Sequence, residues 1–201
     1  MSAVTSTATA AEPSMLSRIT PIVLTYNEEP NLERSLRALS WARRVIVVDS
    51  FSNDGTLEIA ARFPNVALVQ RKFDDFAGQW NFALGLDLLT TEWVLALDAD
   101  FFVTDELREE LAELDPPNEV SAYRARFRYV IDGTVLRGSL YPPITVLFRR
   151  LYARYRQDGH AYRLELASGQ TGELAQHLWH DDRKPLSRWL RSQERYAAEE
   201  A

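Results

Sequence analysis

An α/β fold built on a mostly parallel, doubly wound sheet is what this sequence predicts. Four short apolar runs between residues 19 and 97 alternate with helical patterns, the arrangement of successive βα units. Each run ends in polar residues, and in such sheets the carboxyl ends of the strands line one crevice. After Pro116-Pro117 the pattern changes to an imperfect alternation, which implies a C-terminal antiparallel region.

The first strand is expected over Ile19–Thr25, with Pro21 near its start, where a missing N–H does least harm. Leu32, Leu36 and Leu39 recur at i, i+4 and i+7 and mark an amphipathic helix. Val45-Ile46-Val47-Val48 makes a second buried strand, followed by a helix over about residues 54–62. Val66–Gln70 is a third strand, and Phe76, Trp80, Ala83 and Leu84 mark a third helix. Trp93-Val94-Leu95-Ala96-Leu97 is the fourth strand. Thr104 then caps a helix carrying Leu107, Leu111 and Leu114, with Asp105 and Glu106 in its favourable first turn. Beyond Pro117, Ala122, Ala125, Phe127, Tyr129 and Ile131 alternate, Asp132-Gly133 forms a hairpin turn, and residues 145–148 make another strand. Pro185 opens a terminal helix expected to turn Leu186, Trp189, Leu190, Tyr196 and Ala197 inward.

A chain of 201 residues with 46% hydrophobic content can bury a real core, and a single domain over 18–201 is expected. Residues 1–17 are rich in Ser, Thr and Ala, lack a basic start, and are expected to be a disordered leader rather than a signal peptide. The absence of cysteine excludes disulfides and thiolate metal sites and fits a reducing compartment. No apolar run approaches the ~18–20 residues of a membrane span. A cytoplasmic location is expected, with peripheral contact at the cytoplasmic face of an inner membrane as an extension.

The formal net charge is −6, but it is unevenly placed. Between residues 120 and 163 stand Arg124, Arg126, Arg128, Arg137, Arg149, Arg150, Arg154, Arg156 and Arg163 against Asp132 and Asp158. A basic segment in an acidic chain suits a phosphate-bearing partner or an anionic lipid surface; solvated arginines on outer strand faces explain it as well. A nucleic-acid partner is not expected, because the chain as a whole is acidic and lacks an RNA-binding motif.

Asp98-Ala99-Asp100 closes the fourth apolar run and is the most informative tripeptide. Two carboxylates at the end of a buried strand call for a cation, and a divalent ion carrying a diphosphate suits hard oxygen ligands. The other strand ends offer Thr25-Tyr26-Asn27-Glu28, Asp49-Ser50 and Arg71 to the same crevice.

The stretches Thr25-Tyr26-Asn27-Glu28-Glu29, Val47-Val48-Asp49-Ser50-Phe51-Ser52-Asn53-Asp54-Gly55-Thr56 and Leu97-Asp98-Ala99-Asp100 resemble the family 2, GT-A-fold nucleotide-sugar glycosyltransferases. Residues 73–84, from Phe73-Asp74-Asp75 to Ala83-Leu84, are similar to the bacterial branch containing the lipopolysaccharide-core β-glucosyltransferases. The resemblance implies a GT-A, Rossmann-like domain with a nucleotide-sugar-binding half (18–115) and an acceptor-side half (116–201). It implies a nucleotide-diphospho-sugar donor, most often a UDP-sugar, with Mg²⁺ or Mn²⁺. Tyr26 would pack on the base, Thr25 and Asp49 would lie on the base and ribose side, and Glu28 and Arg71 would shape the nucleotide pocket. Asp98 would face ribose and metal, and Asp100 would bind the metal. The acceptor implied is a glycan or glycolipid of the cell envelope, whose hydroxyl attacks the anomeric carbon as the nucleotide diphosphate leaves, in an inverting displacement.

Three histidines follow. His180, in His180-Asp181-Asp182, matches the position of a C-terminal-side metal ligand, while His177 among Leu174, Leu178 and Trp179 reads as structural. Near His160 the resembling enzymes carry His-Glu, the glutamate acting as base; here Ala161 takes its place. Asp158 or His160 could serve as base instead, with Glu165 as a weaker candidate. Phe51 in place of a usual glycine, Phe101 after the D-x-D, and Trp80 where arginine is frequent bear on the acceptor side; core packing explains Trp80 equally well. Two other readings stay open: a family member that binds donor without transferring, and a D-x-D phosphohydrolase. The second would need an aspartate after the first strand, where Thr25-Tyr26-Asn27 stands.

Overall fold

The computed structural model of the chain describes residues 14–138, 142–159, 161–188, 190, 191 and 194. Strands β1 (Ile19–Thr25), β2 (Val45–Asp49), β3 (Val66–Gln70) and β4 (Trp93–Asp98) run parallel in the order β3-β2-β1-β4. Helices α1 (Glu29–Ala38), α2 (Thr56–Ala61) and α3 (Phe76–Leu84) connect them. After β4 come the short β5 (Phe101–Phe102) and α4 (Asp105–Glu113). There follow β6 (Val120–Ile131), β7 (Thr134–Val135), β8 (Ile144–Arg149), β9 (Ala153–Asp158), β10 (Ala161–Leu166) and β11 (Gln170–His180). Past β4 the sheet continues β8-β6-β11-β5. There β8 is antiparallel to β4 and β6, β11 is parallel to β6, and β5 is antiparallel to β11. Strands β9 and β10 form a separate antiparallel hairpin. The expected α/β architecture is what the chain adopts, but the C-terminal region expected to be antiparallel is mixed, because β11 runs parallel to β6.

Alternation along the strands divides the core between the two faces of the sheet. Ile19, Val23, Val45, Val47, Trp93, Leu95 and Leu97 pack with Leu32 and Leu36 of α1, Ile59 of α2, and Leu107 and Leu111 of α4. Ile22, Ile46, Val48, Val94 and Ala96 pack with Ala77, Trp80 and Ala83 of α3 and with Tyr155 of the hairpin. Strands covered on both faces read as unbroken apolar runs, which is why β1, β2 and β4 were legible; β3, at the edge, is only partly buried. Pro21 precedes the point at which β1 begins to pair with β2, at Ile22. Trp80 is 2% exposed and stacks on Tyr155 at 5.2 Å, so it is a core residue.

Local signals behave as expected. Thr104 Oγ1 accepts from Leu107 N at 3.2 Å and Asp75 Oδ1 accepts from Gly78 N at 2.6 Å, capping α4 and α3. Asp132 and Gly133 have φ of 49° and 75°, the left-handed pair that a tight β6–β7 hairpin requires.

Two further expectations are corrected. The leader does not extend to residue 17: Met15–Arg18 forms a 3₁₀ turn, Met15 is buried, and Ser14 Oγ donates to Ala112 O. Residues 1–13 lie outside the described part. The terminal helical residues do not turn their leucines inward, since Leu186 is 70% exposed and Leu190 49%; Trp189, Tyr196 and Ala197 lie outside the described residues. The sequence reading also passed over β11, whose polar, glycine-containing run hides a strand interrupted by a bulge between Glu173 and His177. Glu110 of α4 supports that bulge by accepting from Ala175 N and Gln176 N at 2.7 and 2.8 Å.

Candidate donor and metal site

The carboxyl ends of β1, β2 and β4 form the edge on which the polar residues gather. Asp98 ends β4, and Asp100 follows in the turn before β5. His180 ends β11 opposite Phe101, so the β5–β11 pairing brings the imidazole to this turn. His180 Nε2 lies 3.5 Å from Asp100 Oδ2, its ring held against Tyr129 and Phe101 at 4.9 and 5.6 Å. Asp181 N donates to Asp100 O at 3.0 Å and ties the two segments together.

Asp100 Oδ1 is buried with no hydrogen-bond partner among the described residues. Such an oxygen costs about 1–3 kcal/mol unless a cation or donor meets it. Burial pushes the Asp98 and Asp100 carboxyls above their ordinary range. Asp98 is raised further by Asp100 and Glu28, whereas His180 and Lys184 partly offset the rise at Asp100. The donor set of hard oxygens and one imidazole fits Mg²⁺ or Mn²⁺. Among the described residues, no three carboxylate or imidazole groups are close enough to hold a metal by themselves. A metal here would therefore need oxygens from its ligand.

Glu28, before α1, is part of the same edge. Burial raises its pKa, with Lys184 and Asn31 acting against the rise. Lys184 Nζ lies 2.6 Å from Glu28 Oε1 and 3.7 Å from Asp182 Oδ1. Burial pulls the Lys184 ammonium down, but Glu28, Asp100 and Asp182 outweigh it and hold the pKa above the usual value. Asn31, fully buried, donates to Glu28 Oε2 and Asp182 Oδ1, each at 2.9 Å, and accepts from Arg183 N at 2.9 Å. Arg34 pairs with the Asp181 carboxylate and donates to its carbonyl at 2.8 Å. Arg188 donates to the carbonyls of Asn27 and Tyr26 at 2.8 and 3.0 Å. Residues 181–188 thus run as a strap across the β1–α1 loop. Sequence reasoning stopped at His180-Asp181-Asp182 and missed Asn31, Arg34, Lys184 and Arg188. The only signal for Lys184 was a cation four residues beyond that histidine.

The expected nucleotide side is arranged in two layers. Asp49 is fully buried, and its oxygens accept from Thr25 Oγ1 (2.9 Å), Ser52 N (2.8 Å), Ser52 Oγ (2.5 Å) and Gln70 Nε2 (3.3 Å). Thr25 and Asp49 lie beneath the edge and hold the loops above it. Tyr26 and Phe51 stand on that edge, 54% and 57% exposed. Phe51 has φ 62°, a left-handed conformation costing a side chain roughly 1–2 kcal/mol, so a glycine would be at ease there. Arg71 meets Asp74 through two 2.6 Å hydrogen bonds and Gln79 Oε1 through a third.

The two base candidates fare differently. Asp158 ends β9 at the hairpin tip and pairs with Arg163 at 2.9 Å, its side chain 57% exposed. Gln157 Oε1 accepts from Ala77 N at 3.2 Å, which sets this tip beside the start of α3, at the carboxyl side of the sheet. His160 and the side chain of Ala161 lie outside the described residues. Glu165 is ion-paired with Arg156 at 3.5 Å on the same hairpin. The basic segment is largely compensated locally: Arg124 and Arg126 meet Glu173, Arg149 meets Glu92 and stacks over Trp93, and Arg150 meets Leu89 O. His177 is partly buried, and burial with Arg128 and Arg126 lowers its pKa.

The fold is a mixed α/β sheet whose D-x-D turn faces a histidine, and comparison with known proteins gives its family. The family model for glycosyl transferase family 2 matches residues 20–172, and the chain belongs to that family. An uncharacterised glycosyltransferase of Rickettsia conorii is 27% identical over 156 residues, 77% of this chain and 51% of that protein. The lipopolysaccharide core biosynthesis glycosyltransferase LpsC of Rhizobium meliloti is 28% identical over 152 residues, 73% of this chain and 53% of that protein. The chain spans about half the length of these curated relatives. Among solved structures, S. aureus TarS 1-349 in complex with UDP-GlcNAc superposes with a TM-score of 0.64 at 17% identity, over 84% of this chain and 59% of that one. Glucosyl-3-phosphoglycerate synthase from Mycobacterium tuberculosis, with Mn²⁺, UDP and phosphoglyceric acid, gives 0.57 at 14% identity, over 90% and 76%. These likenesses show the GT-A fold. No helix among the described residues is long and apolar enough to cross a membrane.

Proposed function

We propose that the chain is a metal-dependent, inverting glycosyltransferase that moves a sugar from a nucleotide diphosphate, of which UDP is the leading candidate, to a cell-envelope glycan or lipid-linked acceptor. The observation that carries this reading is the Asp100 carboxylate, one oxygen buried without a partner among the described residues and the other facing His180. Asp100 and His180, with Asp98 beside them, would hold Mg²⁺ or Mn²⁺. When bound, the ion supplies a Lewis acid for the charge that grows on the departing diphosphate. Tyr26 and Phe51 offer apolar rings at the exposed edge for the base, over loops fixed by Asp49. Asp158 at the end of β9, or His160, would take the proton of the acceptor hydroxyl as it attacks the anomeric carbon. Names of the relatives support the envelope acceptor, LpsC being one of lipopolysaccharide core biosynthesis. A peripheral contact of Arg124 and Arg128 with anionic lipid is an extension, tested by sedimentation with anionic vesicles.

The test is isothermal titration with UDP-glucose, UDP and GDP-mannose, with and without Mn²⁺, beside Asp100→Ala. Metal-dependent binding of one nucleotide that the variant loses supports the reading; no binding by a folded protein removes it.

A second reading has its own observation. The usual glutamate is Ala161, and Asp158 is engaged by Arg163. A protein that binds donor but transfers to no acceptor would fit this, and gain of transfer in Ala161→Glu would establish it.

A further inference from the structure

We propose that Lys184 is a positioning residue whose ammonium sits in the acidic edge and makes divalent-metal binding depend on the nucleotide diphosphate. This rests on the metal-dependent donor reading above. Four carboxylates, those of Glu28, Asp98, Asp100 and Asp182, share this edge of the fold. The ammonium is within 2.6 Å of Glu28 and 3.7 Å of Asp182, and the Lys184 and Glu28 side chains are 14% and 13% exposed. Asn31 sets both acceptors in place, with 2.9 Å hydrogen bonds to Glu28 Oε2 and Asp182 Oδ1.

Two consequences follow from this placement. While Lys184 holds Glu28, that carboxylate is not offered to a metal, and Asp100 and His180, with Asp98 beside them, provide at most three side chains. A hard divalent ion prefers six or more oxygen and nitrogen donors, so three leave about half of its shell to water or to phosphate oxygens. The fixed positive charge nearby also weakens attraction of a second cation to the same carboxylates. Diphosphate brings both the missing oxygens and the missing negative charge. Metal alone should then bind weakly, and metal with nucleotide tightly. The strap does not depend on the lysine side chain to stay in place. Lys184 N donates to Asp182 Oδ1 at 3.0 Å and Arg183 N to Asn31 Oδ1 at 2.9 Å.

The test is a Mn²⁺ titration read by the paramagnetic resonance of the free ion, with and without UDP. It compares the wild type with Lys184→Met, Lys184→Arg and the double variant Glu28→Gln/Lys184→Met, each checked for folding by circular dichroism. Lys184→Met should bind Mn²⁺ without UDP about tenfold tighter than wild type, and UDP should then add correspondingly less. Lys184→Arg should stay near wild type, and the double variant should fall back towards it, because the freed Glu28 is gone. Equal Mn²⁺ affinity of Lys184→Met and wild type without UDP overturns the proposal, as does Lys184→Arg behaving like Lys184→Met. If Lys184→Met does not fold, Lys184→Gln carries the same expectation. Wild type that binds Mn²⁺ with UDP while the lysine variants change nothing removes only the role of Lys184. Wild type that binds neither removes the donor-site reading and this inference together.

Discussion

His180 Nε2 stands 3.5 Å from Asp100 Oδ2, joining the last residue of β11 to the turn that leaves β4. The contact exists because β11 pairs with β5 at Trp179–Phe102 and His180–Phe101. If the pair holds a metal, His180→Ala should weaken Mn²⁺-dependent UDP binding at least tenfold while leaving metal-free nucleotide binding unchanged. Calorimetry with and without Mn²⁺ separates the two; an equal loss in both would mean that the imidazole serves only the fold.

Asn31 is fully buried and serves Glu28, Asp182 and Arg183 at once. Asn31→Ala should cost about 1–3 kcal/mol in urea unfolding, since it removes the donor to Glu28 Oε2 and the acceptor of Arg183 N. It should also loosen residues 181–188, so trypsin should cut after Arg183 faster than in wild type. Unchanged cleavage would show that the strap is held without Asn31, by contacts such as those of Arg34, Lys184 and Arg188.

Trp80 fills the sheet face beneath α3 and stacks on Tyr155. Trp80→Ala should lower stability by about 3–5 kcal/mol through the cavity it leaves. A loss below ~1 kcal/mol in denaturant unfolding would place the indole outside the core.

Asp74 is held well below the usual carboxylate range, chiefly by its hydrogen bond with Arg71 and then by Asp75 N. A depressed carboxyl contributes stability above its unfolded value, 3.8, and loses it as pH falls further, towards the folded value. The melting temperature of wild type should therefore exceed that of Asp74→Asn at neutral pH, and the gap should close in acid below that value. The pair is exposed, so the gap should be small. A gap that persists in acid would assign the effect to capping or packing at the start of α3.

Four parallel strands, their helices and the D-x-D at the sheet edge were determined by local sequence. Burial on both faces demands continuous apolar runs, and caps and turns depend on near neighbours: Thr104 with Leu107, Asp132 with Gly133. Family membership was legible for the same reason, because the motifs sit at strand ends within short stretches of chain. Tertiary structure decided the rest. That β11 inserts beside β6 and delivers His180 to Asp100 depends on pairing with residues far away, which its polar sequence does not encode locally. Only folding brings Lys184 to Glu28, buries Asp49 under its own loops and engages Asp158 with Arg163. A charge acquires its role from the neighbours and solvent that the fold gives it, and those are properties of distance in space rather than along the chain.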